Sequence, residues 1–312
     1  MSFLLSCIST NHSLLKQHWT KARAQTECPV TVLGSREKPK DQGGLLCLVS
    51  DDGNIQAQVE LPMPSGMALT ENGILVASHD TIHEVSSDLT RVQRDVVSLP
   101  SFNLLHSLSR TKRGYLAAST GVDAIVEFTH TGKPLWSWWA TEHGFEYTPA
   151  NERRLLDIND DHRGVKYGTL TQTTHVNSAA ELPDGTILAT LFHQGTVISI
   201  DRESGEWQTV LEGLDHPHAV RVLAEDYITI ADTGRGRALL VKLRDGKGSI
   251  ETEIQAETNW LQDSFYDYRH DRWLLVDGKH SRVTLTTGTR DPKGGIQLNL
   301  DPEWRLYEVL PL

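Results

Sequence analysis

Apolar and polar positions along the chain alternate in short runs, and helical spacing is almost absent. One pattern recurs: an apolar strand, a tight polar turn, a second apolar strand, then Gly/Asp-rich punctuation. The clearest copy spans residues 175–211. It reads HVNSAAEL, the turn PDG, TILATLF, then GTVISID, the turn RESG and EWQTVL. Related units cover 64–99, 104–139 and 217–255, and a less regular one runs from 261 to the C-terminus. The segments FLLSCIS and GLLCLVS-DDGN-IQAQVEL supply three strands of a further unit.

A four-stranded repeat of ~40–45 residues is the pattern of a β-propeller blade. The expectation is therefore an all-β fold: one six-bladed propeller domain over residues 1–312. Its blades fall near 1–62, 63–100, 101–140, 175–213, 214–257 and 258–312. The first unit lacks a first strand, so a C-terminal segment is expected to complete it and close the ring. Five blades, or two stacked β-sandwiches, are the alternatives.

Segment 141–174 breaks the period. Loops of that length are functional or disordered more often than not. This one carries Phe145, Tyr147, Leu155 and Leu156, apolar enough to pack on something. It reads either as a lid over the channel face or as an irregular extra hairpin. Its pair Arg153 and Arg154 is suited to an anionic substrate or to a solvated surface. Trp136, Trp138 and Trp139 fall on an outer strand and read as inter-blade packing.

Aligning the first strands on their turn residues gives one ring position. Eight residues before Gly73, Gly114, Gly185, Asp226 and Asp271 stand Ser65, His106, Asn177, His218 and Asp263. Two residues earlier, on the same strand face, stand Met63, Leu104, His175, His216 and Leu261. The second-strand ends add His79, His193, Asp232, Asp277 and His280 on the same rim. Seven of the 14 histidines thus map to one face. His106, His175 and His218, with Asn177, His216 and Asp263 as neighbours, suit a divalent metal (Zn, Fe, Cu, Ni or Ca) with one open position. The competing readings are direct substrate binding or acid/base work by bare imidazoles, and imidazoles that only satisfy backbone groups.

Lys+Arg 30 against Asp+Glu 41 gives a net charge of −11, with no basic run. Nucleic acid and anionic membranes are poor partners for such a chain, and a small-molecule substrate is the expected one. No apolar stretch approaches the ~18 residues a span needs. The N-terminal MSFLLSCIST reads as a strand rather than a secretory leader, which implies an intracellular, cytoplasmic protein. Cys7, Cys28 and Cys47 are an odd number with no metal-like spacing and are expected to be reduced. DTGRGR is followed by no helix, and neither GxSxG nor a catalytic carboxylate pair occurs.

His175-Val176-Asn177-Ser178, followed by ELPDGTILAT and VISIDRESGEW, resembles the H-x-N-S blade of the arylsulfotransferase family of six-bladed propellers. HSL…YLAASTGVDAIVEF around His106 is similar to that family's preceding blade, so the resemblance covers 104–222 apart from the insertion. It implies a central histidine that accepts a sulfuryl group, with His106, His175 and His218 as the positions concerned. The general layout is also similar to the NHL-type amidating lyases, which hold zinc with three central histidines. It is similar too to the gluconolactonase-like propellers, which use carboxylate and Asn ligands. Two functions follow. One is an enzyme performing lyase, hydrolase, isomerase or group-transfer chemistry on a small molecule. The other is a non-catalytic propeller that binds a protein or small ligand. The GH…WD repeats of scaffold propellers are missing, which favours the enzyme.

Overall fold

In the computed structural model, which describes residues 1–24, 43–287 and 295–312, six four-stranded antiparallel sheets carry the chain. Cys28 lies outside the described residues. The inner strands are Pro64–Leu69, Leu105–Arg110, Val176–Glu181, Pro217–Ala224, Leu261–Asp267 and Arg305–Pro311. Each touches the next, and the last touches the first, so they form a closed ring around one channel. This is the six-bladed propeller that the repeat implies.

Ring closure follows the expectation for the first unit, with one change to the blade limits. Strand Arg305–Pro311 pairs antiparallel with Ser2–Ser9 and becomes the inner strand of the first blade. The unit beginning near 258 therefore ends with Ile296–Asn299, and the last strand belongs to its neighbour.

The hydrophobic core lies between the blades. Six buried clusters occupy the six seams, and the third-to-fourth seam is typical, with Ile125, Trp138, Ala179, Ile187 and Ile198. Two neighbouring sheets meet face to face there, so each strand buries one side of its alternating pattern against the next blade. Trp138 is fully buried in this seam and Trp136 packs against it, as expected of an outer strand. Close packing reaches the inner strands. A Cβ on Gly66 would stand 2.3 Å from the Leu108 amide nitrogen, so only glycine lets the second and third blades approach there.

A 13-residue helix, His12–Ala24, interrupts the first blade, and the strand pattern did not anticipate it. Its start is held from outside the repeat. The Asn11 Oδ1 accepts the Leu14 amide at 2.9 Å, and a Glu303 carboxylate oxygen accepts the Ser13 amide at 3.0 Å. No helix of the described residues is long and apolar enough to cross a membrane.

Segment 141–174 leaves the last strand of the third blade and returns at the first strand of the fourth. Antiparallel topology puts both points on the face where inner strands start and second strands end. The segment packs on that face. Asn103 Nδ2 donates to the carbonyls of His162 and Val165 (2.7 Å each), and the Gly164 amide donates to Asp80 (3.0 Å). Leu156, Ile158 and Tyr167 cover Val122, Ala124 and Trp139. Phe145 packs against the third-to-fourth seam, whereas Tyr147 and Leu155 are exposed.

Candidate active site

Every inner strand carries a register shift against its neighbour near the channel mouth. In the third and fourth blades the extra residues are His106 and Asn177 themselves. A bulge turns the bulged side chain out of the alternating pattern, which is how a strand re-aims one residue. Just before four of these strands the backbone is left-handed at Met63 (φ 50°), Leu104 (φ 49°), His175 (φ 50°) and His216 (φ 55°). Such conformations cost roughly 1–3 kcal/mol each and persist where the surroundings enforce them. His175 and His216 therefore lie outside strand alternation, and their common aim with Asn177 and His218 comes from these bends.

The pairing corrects the register in the sixth blade. Leu261 pairs with Asp277 as Leu105 pairs with Ser119 and Pro217 with Asp232. The ring residue is thus Gln262, with Trp260 just ahead of the strand, and Asp263 stands one step further along. The slip follows from counting back from Asp271 through a hairpin turn of a different length.

Three imidazoles lie close together around Phe192 and the channel mouth. His106 meets His175 edge-on at 5.1 Å between ring centroids, and both His175 and His218 pack on Phe192, at 4.6 and 5.6 Å. His193 lies 5.8 Å from His175, and His216 packs on Phe192 at 4.2 Å. Trp260 touches His216 and His218, and Tyr307 touches His106 at 5.5 Å. Phe192, Trp260 and Tyr307 were missed by the register. Phe192 is adjacent to His193, Trp260 is hidden by the slip, and Tyr307 arrives on the closing strand.

The hydrogen bonds fix the tautomers. His106 Nδ1 contacts the Leu104 carbonyl at 2.9 Å, and His218 Nδ1 contacts the His216 carbonyl at 3.0 Å. A carbonyl only accepts, so Nδ1 carries the hydrogen and Nε2 keeps a lone pair. His175 Nδ1 is bonded to the Gln172 side-chain amide, and with Oε1 facing the ring, Nδ1 carries the hydrogen there too. Burial pushes His106 down to about 4 and His218 to about 3, and it holds His175 well below its ordinary value, with the other imidazoles adding to the shift. All three are neutral at pH 7, each with an unprotonated Nε2 that can accept a hydrogen bond. Asn177 donates to the Pro217 carbonyl at 3.1 Å, while its buried Oδ1 has no partner.

Other candidates are committed elsewhere. Asp263 is bidentate to Arg221 (2.6 and 3.0 Å) and accepts the Val309 amide at 2.8 Å, so it does not orient the imidazoles. Asp232 holds Arg237 (2.6 Å) and the Asp215 amide (2.6 Å). Asp277 pins its own turn through the Lys279 and His280 amides and the exposed His280 ring (2.8 Å). His79 sits beside Asp80 at 3.6 Å, and His193 Nε2 donates to the Thr169 carbonyl at 3.0 Å. Arg154 is buried against Asp123 and under Tyr167, and Arg153 pairs with Glu146 at 3.3 Å. Both arginines line a separate cleft of about 630 Å³ within the insertion, away from the imidazoles. Among the described residues no three His, Cys, Asp or Glu side chains are grouped closely enough, as placed, to hold a metal ion.

No family model and no curated protein matches the chain. Solved structures show the fold. A nidogen/laminin complex matches with TM-score 0.61 at 9% identity, covering 99% of this chain and 97% of that one. A catalytically inactive virginiamycin B lyase from Staphylococcus aureus with quinupristin matches with TM-score 0.50 at 14% identity, covering 84% and 76%. The periplasmic gluconolactonase of Pseudomonas aeruginosa matches with TM-score 0.51 at 13% identity, covering 88% and 82%. None of these three supports the arylsulfotransferase resemblance of the His175 blade.

Proposed function

We propose that this propeller is an enzyme acting on an uncharged small molecule, with neutral imidazoles at the channel mouth as its acid–base groups. The observation that carries the reading is the common state of His106, His175 and His218. Each has Nδ1 committed to an acceptor, which leaves Nε2 as the nitrogen that can accept from a ligand. The buried, unpartnered Asn177 Oδ1 asks for a ligand that brings a hydrogen-bond donor, and an unprotonated imidazole Nε2 can accept one as well. Phe192, Trp260 and Tyr307 supply apolar walls beside them. A neutral base close to a bound C–H or O–H group is what lyase and hydrolase chemistry needs. The lyase and lactonase among the solved neighbours are consistent with an enzyme on this fold.

The test is turnover of a panel of uncharged cyclic esters and lactones, followed by mass spectrometry. Wild-type protein is compared with His106→Ala, His175→Ala and His218→Ala, before and after exhaustive chelation. Loss of turnover in each variant, with chelated wild type fully active, is the expected result. Activity lost on chelation and restored by Zn, Fe, Cu, Ni or Ca would replace this reading with the metal one. Tight binding without turnover would make the protein a binding propeller.

A further inference from the structure

Asp123 is fully buried in a left-handed conformation (φ 54°), at the head of the third strand of the third blade. Its carboxylate gathers three successive backbone amides where the insertion returns: Thr173 (2.7 Å), Thr174 (3.0 Å) and His175 (2.6 Å). The hydroxyls of Thr173 and Thr174 donate to it as well, at 3.2 and 2.8 Å. The Arg154 guanidinium closes the set and also donates to the Gly121 carbonyl at 2.6 Å. One carboxylate therefore holds the middle of the insertion through Arg154 and its end through Thr173–His175.

That bend sets His175. Three amides pointing at one anion support the turn that places His175 at φ 50°, a left-handed conformation uncommon outside glycine. The same turn brings Gln172 onto His175 Nδ1 and lets Gln194 donate to the Thr173 carbonyl at 2.9 Å. Further along the segment, the Thr169 carbonyl takes the His193 ring. The insertion is thereby a fixed wall of the site.

We propose that Asp123 is a positioning residue: it acts through the 173–175 backbone to hold His175 in its Nδ1–H tautomer against the channel. The proposal rests on the reading of His175 as a site imidazole, and its test does not use turnover. Glu127 supplies the control. It is an equally buried carboxylate on the same strand, it pairs with Arg113 and Arg202, and it touches no residue of the site.

The experiment is imidazole ¹⁵N NMR on histidine-labelled full-length protein, with signals assigned from single His→Gln variants. Asp123→Asn should move the His175 nitrogens toward a tautomer mixture and leave His218 in place. It should also raise trypsin cleavage at the exposed Arg153, Arg163 and Lys166 by tenfold or more. Glu127→Gln should lower the melting temperature and move neither readout. An unmoved His175 spectrum in Asp123→Asn, or an equal shift in Glu127→Gln, overturns the proposal. Should Asp123→Asn fail to fold, Thr174→Val removes one of the carboxylate's donors at constant shape. It should give a smaller shift of the same sign, and no shift there is equally fatal. Wild type without turnover, together with a His175 signal that depends on Asp123, would reject the enzyme reading alone.

Discussion

Two neighbouring layers of the channel carry opposite chemistry. At the ring position stand His106, Asn177 and His218, with His175 just above; the imidazoles are held through Nδ1 alone, and Asn177 Oδ1 has no partner. One step further along the strands stand Asp263 and Glu308, with Arg221 beside them, and nearly every polar atom there has a partner. Asp263 accepts from Arg221, Ser264 and Val309, and Arg221 also donates to the Ser264 carbonyl at 2.9 Å. Glu308 accepts the Met67 amide at 3.0 Å and lies 3.9 Å from Arg221. The deeper layer joins the fifth, sixth, first and second blades, so its charges act on closure of the ring. The outer layer spends almost nothing on closure and is free to meet a ligand. Titratable residues of similar depth thus divide by whether their hydrogen bonds are already made.

The largest effect should come from breaking the closed layer. Arg221→Met leaves the Asp263 carboxylate buried without its cation, and uncompensated buried charge costs ~3–5 kcal/mol. Denaturant unfolding should show that loss. The triple change Arg221→Met, Asp263→Leu, Glu308→Met should recover most of it, because an apolar set of similar volume needs no pairing. A triple variant no more stable than the single one would show that the layer holds the ring by charge and not by volume.

Next in size is the pH response, where the two layers have opposite signs. His106 and His218 are neutral in the folded protein down to about 4 and 3, whereas in the unfolded chain they bind a proton below about 6.5. The unfolded state then holds more protons, so their stability contribution is lost as pH falls from 6.5 toward 4. The groups facing them are His175, His218 and Tyr307 for His106, and His106, His175, His216, Thr233, Phe192, Trp260 and Arg305 for His218. Glu308 runs the other way. Burial, aided by Asp263 and opposed by Arg221, raises it to about 8, so it keeps a proton that the unfolded chain releases near 4.5. Its contribution is lost as pH rises through that window. His106→Gln with His218→Gln should flatten the acid limb of the stability curve, and Glu308→Gln the alkaline limb. A variant that leaves its own limb unchanged would contradict the assignment.

The same division decides what could be read from the chain. The blade period was legible because strand alternation and PDG-type turns are local, and so was the shared ring position of His106 and His218; His175 joins them through a left-handed bend that alternation does not contain. Tyr307 and Glu308 were not legible as channel residues, because they arrive from the C-terminus onto the first blade. Gln262 and Trp260 were hidden by one residue of slip. Asp232, Asp277 and Arg154 looked like rim chemistry, since a sequence shows a carboxylate or guanidinium but not whether backbone amides or a partner already occupy it. Asp123 left no local signal, as its partners lie about 50 residues away.

The smallest stability effect, and the sharpest contrast with the deeper layer, should come from Asn177. Its Oδ1 is buried and unpartnered in the free protein, so folding already bears the cost of hiding that acceptor. Asn177→Ala removes the acceptor, and it also removes the 3.1 Å bond to the Pro217 carbonyl. The lost bond and the lost desolvation cost are each about 1 kcal/mol and of opposite sign, so unfolding should shift by less than about 1 kcal/mol. A ligand whose donor meets Oδ1 would instead lose the full value of that contact, about tenfold or more in affinity or kcat/KM. Calorimetric unfolding beside ligand titration separates the two quantities. If Asn177→Ala costs as much stability as Arg221→Met, the outer layer is structural after all, and the division between the layers fails.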